Sequence, residues 1–209
     1  MSAPQPDTSG VSLWRRASSF ERGIYSNLYR WLTRNPDHGG SGTTVVTYVD
    51  LVRTTIYIWI GASALEMVAV HFLIGWVWLR WTLLILSLWG LIWMFGYLAG
   101  LIVYPHLIDR HAVRIRNGHT IRVEVPASII ESVSGSTRST PGSRVIQIDE
   151  EDPLHLYIAV SGQVNVHLGL REESSADLPG SRYRFTSVSF WADDPALARR
   201  SLQEVLAQS

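Results

Sequence analysis

Between Ile56 and Tyr104 the chain carries two apolar runs almost back to back, roughly Ile56–Val77 and Thr82–Tyr104. Each exceeds the ~20 residues a helix needs to cross ~30 Å of hydrocarbon. Only "WLRW", Trp78 to Trp81, separates them, which predicts an antiparallel helical hairpin in a membrane. Trp76, Trp78 and Trp81 gather at the tight turn, and Tyr57, Trp59 and Tyr104 at the open end, as interfacial aromatics do. Arg15, Arg16, Arg22, Arg30, Arg34 and Arg53 precede the first run, and Arg110, Arg114 and Arg116 follow the second; the turn has Arg80 alone. The positive-inside tendency then puts both termini in the cytoplasm, for a multi-pass protein of a bacterial inner (cytoplasmic) membrane.

Two polar residues interrupt the first run: Glu66 near its centre, and His71. Folding the hairpin about residue 79 sets Glu66 level with Trp89 and Trp93, and His71 level with Ser87. An ionised Glu at that depth would cost ~2.5 kcal/mol or more. The acid is therefore expected to be neutral and to accept a hydrogen bond from an indole N–H. Two roles stay open for it, helix packing and intramembrane proton coupling. Gly96 and Gly100 of "GYLAG" share a face with Trp89 and Trp93 and admit close approach by the first helix or by another subunit. A homo-oligomer, or assembly with other membrane protein subunits, is the implied state.

Residues 1–44 form a cytosolic arm. Ala17, Phe20, Ile24, Leu28 and Trp31 recur at helical spacing within residues 11–34, among five Arg and one Glu. Such a helix suits an anionic inner leaflet, or packs on the C-terminal domain or a partner. "NPDHGGSGTT" (35–44) reads as a flexible linker. The hairpin region is then 45–105, with the structure of Val45–Thr55 left open.

From residue 106 the period changes to strand alternation. Val113, Ile115, Ile121, Val123 and Val125 share one parity around Asn117-Gly118, which predicts a β-hairpin. An odd loop with Gly118 left-handed keeps all of them inward. Further strand candidates are 128–133, 144–149, 154–160, 164–170 and 183–190, making seven, all expected to be antiparallel. "DEEDP" (149–153) and "REESSADLPGSR" (171–182) are expected as solvent-facing loops, the second a partner-contact surface. Asp193 or Asp194 caps a last helix carrying Ala198, Leu202, Val205 and Leu206 as its stripe.

Seven short strands closed by one helix, with "VPASIIESV" and "SVSFWADDPALARRSLQEVL" at matching places, resemble the bacterial pleckstrin-homology-like domain. The resemblance implies a seven-stranded barrel with a C-terminal capping helix over 106–209. It also implies a non-catalytic adaptor or scaffold role, binding a protein partner or anionic lipid headgroups. Arg114 and Arg122 on the outer face of the first hairpin, Arg116 at its tip and His119 beyond it are the candidate lipid contacts.

Composition narrows the chemistry. Acidic and basic residues balance at 18 each, with no nucleic-acid signature, and there is neither Lys nor Cys. Thiolate catalysis, disulfides, Cys-ligated metals and a Walker loop are excluded. No nucleophile elbow, His-Glu-x-x-His pair or dinucleotide fingerprint occurs. His106, His111 and Asp109 fit no standard metal site. The expectation is a non-enzymatic protein without cofactor, metal or evident small-molecule substrate, and without a cleavable signal peptide.

Overall fold

The computed structural model describes the backbone of residues 9–208 and the side chains of residues 21–207. Four α-helices lie among the described residues: α1 (Ser9–Leu32), α2 (Asp50–Leu73), α3 (Val77–Val103) and α4 (Pro195–Gln208). The strands are β1 (Thr44–Val46), β2 (His106–Ile108), β3 (Ala112–Asn117), β4 (Ile121–Pro126), β5 (Ile130–Ser134), β6 (Arg138–Ser139), β7 (Ile146–Ile148), β8 (His155–Ile158), β9 (Gln163–Val164), β10 (Val166–Leu178) and β11 (Ser181–Phe190).

Helices α2 and α3 are the two apolar runs, and both are long and apolar enough to cross a membrane. The hairpin is not buried in the core formed by the described residues. None of the apolar window of α2 is buried, and only 33% of that of α3. The link is shorter and earlier than the pattern implies: α3 already contains "WLRW", and only Ile74, Gly75 and Trp76 lie between the helices. Gly75 is the weak helix former at that point. Ser63 Oγ meets Met94 Sδ at 3.9 Å across the pair, so the depth register obtained by folding about residue 79 holds.

The two ends of the hairpin remote from its turn are tied together. β1, just before α2, pairs antiparallel with β2, just after α3, Val45 opposite Leu107. Residues 44–46 are therefore strand, and the helix begins at Asp50. β1 and β2 continue into a four-stranded sheet of order β1-β2-β3-β4. Ile115 faces Val123 and Val113 faces Val125 in its β3–β4 hairpin. The loop is odd, as parity requires, but spans 118–120, with Gly118 at φ +60°.

The second sheet is five-stranded, in the order β5-β10-β11-β8-β7, and β6 pairs with β9 separately. All seven expected strands exist, yet the sheets do not close into a seven-stranded barrel. β11 and β8 pair in parallel, which departs from the all-antiparallel expectation. Residues 171–182 are not a loop either. β10 and β11 continue pairing out to Leu178 opposite Ser181, around a bulge after Gly169. Alternation of Ser174, Ala176 and Leu178 supports the longer strand, and Ala176 and Leu178 are buried. The core lies between the two large sheets and α4, with Ile115, Val123, Leu156, Leu168, Phe185, Val188 and Leu202 fully buried.

Candidate functional site

Three polar groupings stand out, and the first lies on the helices. Glu66 falls about 80° from the half-buried stripe Ile56, Ile60, Ser63, Met67 and Val70 that faces α3. It is exposed and makes no hydrogen bond or ion pair among the described residues. Its expected pairing with Trp89 or Trp93 does not form. Trp89 Nε1 instead donates to the Tyr25 hydroxyl at 3.0 Å, and Trp93 stacks on Tyr97. His71 stands exposed, edge-on to Phe72, and Ser87 makes no bond to it.

The Gly96–Gly100 face is occupied from within the chain, by neither the first hairpin helix nor a second subunit. A Cβ at Gly96 would lie 2.3 Å from Ile24 Cγ2 and 2.8 Å from the Ile24 carbonyl oxygen. One at Gly100 would lie 2.6 Å from Asn27 Nδ2. Arg30 Nη1 continues the series by donating to the Tyr104 hydroxyl at 3.2 Å. Partners ascend together in both helices, so α1 runs parallel to α3. Its contact face is Ile24, Asn27 and Arg30, while Trp31 and Tyr29 are exposed; Ala17 and Phe20 of the expected stripe lie outside the described side chains. Gly96→Ala should drive α1 off α3 at a cost of about 1–3 kcal/mol. The check is protease cleavage at Arg22 or Arg30, expected to accelerate in the variant.

The second grouping joins helices to domain. The supposed linker is an anchored strap: the Asp37 N–H donates to the Val103 carbonyl at 2.9 Å, and its carboxylate takes Arg116 Nη1 at 2.7 Å. Burial acts to raise the Asp37 pKa, but the Arg116 hydrogen bond and charge, with the Gly39 N–H, outweigh it and hold the carboxyl below its ordinary value. Arg116 is thus buried, not presented at a hairpin tip. Arg114 is paired with Asp109 and Glu124, and Arg122 with Glu124. His119 lies against Gly23 and bonds Asn27 Nδ2 at 3.1 Å, beneath α1. All three candidate lipid-binding arginines therefore already carry an internal counter-charge.

His106 is the keystone of this junction. Its Nδ1 accepts the Arg116 backbone N–H at 2.9 Å, so its Nε2 carries the proton and donates to the Trp191 carbonyl, also at 2.9 Å. Tyr48 stacks on the ring and Phe190 meets its edge. Burial pushes its pKa down to about 4, with Arg116 adding to the effect against the pull of the Trp191 carbonyl. The Asp193 carboxylate accepts the N–H groups of Val49 at 2.9 Å and Asp50 at 3.1 Å, capping α2 from the far end of the chain. Asp194 caps α4. Asp109 binds the N–H groups of His111 and Ala112, so the near cluster with His106 is structural.

The third grouping lies in the five-stranded sheet, and no local sequence pattern reveals it. Ser189 Oγ lies 2.9 Å from His155 Nε2 and 3.0 Å from His167 Nδ1. The Tyr157 hydroxyl donates to Asp149 Oδ2 at 2.5 Å, and the same oxygen is 3.8 Å from His155 Nδ1. The residues come from β8, β10, β11 and the turn after β7 and are scattered in sequence; with Leu156, Ile158, Leu168, Val188 and Phe190 inward, strand alternation puts His155, His167 and Ser189 together on the face away from the main core. Their surroundings form a cavity of about 180 Å³. A separate open cleft of about 1020 Å³ lies between the β3–β4 loop and the β10–β11 tip, lined by His119, Ile121, Leu178 and Tyr183 among others.

No family model, curated protein or solved structure matches the chain.

Proposed function

We propose that the protein is a membrane-anchored, non-enzymatic adaptor of the bacterial inner membrane, in which the hairpin spans the bilayer and fixes the orientation of the cytosolic domain. One observation carries this reading: both ends of the apolar hairpin remote from its turn are locked into the domain, by the β1–β2 pairing and by Asp193 capping α2. A passive tether needs neither. The cleft beneath the β10–β11 tip is the surface for a protein partner, because the basic hairpin has its charges already neutralised. The seven strands and C-terminal helix support reading the domain as a pleckstrin-homology-like variant whose sheets stay open.

Sidedness provides the test. With no native Cys, Gly75→Cys and Ser181→Cys each introduce a unique thiol. The protein should stay with membranes through an alkaline wash. Gly75→Cys should react with an impermeant maleimide in cells with a permeabilised outer membrane, and Ser181→Cys only after the inner membrane is opened. Recovery in the wash, or labelling of Ser181→Cys from outside, overturns the reading.

Glu66 favours a second reading, an accessory subunit of a transport or secretion complex. An acid on the outer face of an apolar helix, unpartnered within the described residues, calls for an intermolecular contact. Glu66→Gln keeps hydrogen bonding and cannot titrate. If Glu66 packs helices, Gln should preserve assemblies on native gels and Glu66→Leu should lose them. If it couples protons, transport by the complex should fail with Gln while assembly persists.

A further inference from the structure

α1 and α2 both pack on α3, but on different sides of it. Trp89, Gly96 and Gly100 face α1. Met94 meets Ser63 of α2, and Leu98 and Leu101 cluster with Val52, Ile56 and Ile60 of the same helix. At about 100° per residue the two sets lie about 150° apart around α3. The helices therefore form a row in the order α1-α3-α2, with α1 at one edge and α2 at the other.

Each edge carries an exposed charged side chain, Arg22 on α1 and Glu66 on α2. Ile24 rests on Gly96, so Arg22 of the parallel helix α1 lies level with about residue 94 of α3. Ser63 is level with Met94, so Glu66 lies level with about residue 91. The two charges thus differ in depth by about 4.5 Å, less than one helical turn. Both lie beyond Tyr57 and Trp59, the aromatics at the open end of the hairpin. In a bilayer that places both within the hydrocarbon, and α1 enters the membrane layer beside α3.

An ion exposed to lipid at such a depth is costly, and pairing with an opposite charge is the usual remedy. The chain does not pair these two itself. α3 stands between the edges, and Glu66 makes no ion pair among the described residues. Arg22 has five guanidinium N–H groups, which leaves room for a carboxylate beside the contact it already makes.

Depth then selects the partner. Copies related by an axis along the membrane normal keep every residue at its own level, so a contact between identical chains joins only groups of equal depth. Arg22 and Glu66 meet that condition from opposite edges, which is the arrangement a head-to-tail contact needs. A partner of another kind would not require the match. We infer that the protein assembles with further copies of itself, α1 of one copy against α2 of the next, with Arg22 paired to Glu66 of the partner subunit. The inference rests on the reading of Glu66 as an intermolecular contact and names its partner.

Charge reversal tests it on the full chain in mild detergent, with assembly measured by light scattering on a sizing column. Arg22→Glu and Glu66→Arg should each lower the assembled fraction about tenfold or more, since like charges then meet. The double variant Arg22→Glu, Glu66→Arg should restore it. Cross-linking keeps the test independent of how the reversed chains fold. Ser26 and Ala62 are exposed one turn from Arg22 and Glu66 on the same faces, and the chain has no Cys of its own. Ser26→Cys and Ala62→Cys chains with different tags, co-expressed and oxidised in isolated membranes, should give a disulfide dimer carrying both tags. Failure of the double reversal to restore assembly, or no mixed-tag dimer, overturns the inference. If Glu66→Leu still releases another membrane protein in that case, Glu66 meets that protein and the reading of an intermolecular contact stands. If Glu66→Leu changes no assembly at all, both fall.

Discussion

His106→Gln should remove on the order of 3 kcal/mol of acid sensitivity from the fold between pH 6.5 and 4. In the folded protein His106 stays neutral until about pH 4, whereas the unfolded chain takes up a proton near 6.5. Between those values the unfolded state binds more protons. The stabilisation is therefore complete above pH 6.5, declines by about 1.4 kcal/mol per unit as pH falls, and is gone below about 4. Gln retains an amide donor and acceptor for Trp191 and Arg116 but has no proton to gain. The variant should start lower at pH 7, having lost the stacking with Tyr48, and then fall less steeply. Denaturant unfolding of the detergent-solubilised chain across this range checks it. Burial lowers His119, His155 and His167 as well, but these remain in both proteins, so the difference in slope isolates His106. Parallel curves would show that the ring does not titrate with folding.

Asp37→Ala should cost about 2–3 kcal/mol, measured the same way at pH 7. Breaking a buried ion pair from one side costs ~3–5 kcal/mol because the remaining charge stays desolvated. The figure is discounted because Asp37 remains 34% exposed, while Arg116 is only 8% exposed. The order of effects is the sharper expectation. Arg116→Met leaves a carboxylate that can still reach water, so it should cost less than Asp37→Ala. The double variant Asp37→Ala, Arg116→Met should recover much of what Asp37→Ala loses. Equal single effects that simply add would mean that the strap is not held by this pair.

The predictions share an origin in the junction, which is where sequence pattern and structure part. Apolar length determined α2 and α3, and the contact of Ser63 with Met94 keeps the depth register obtained by folding about residue 79, although the link itself lies earlier, at residues 74–76. The rotation of α2 was not legible: an all-apolar surface carries no moment to say which side faces α3, so Glu66 fell on the outside. Gly96 and Gly100 were recognisable as a close-packing face, but a small-residue notch does not name its occupant, and α1 took it. The Arg-rich hairpin looked free because strand parity marks a face as polar without showing what folds over it. Asp37 crosses that face from 79 residues away.

Strand alternation alone determined the seven core strands, the odd β3–β4 loop and the last helix, since each is a local repeat read against a local neighbour. Only tertiary structure decided that β8 lies parallel to β11, that the sheets stay open, and that Asp193 caps a helix 144 residues upstream in sequence. The same holds for the site. His155 and Ser189 are 34 residues apart and meet through strand pairing, so the cavity exists only once the sheet does. Periodicity encodes which face of an element turns inward. Which polar group it finds there is decided by long-range packing, where burial makes every unpaired donor costly and so selects its partner.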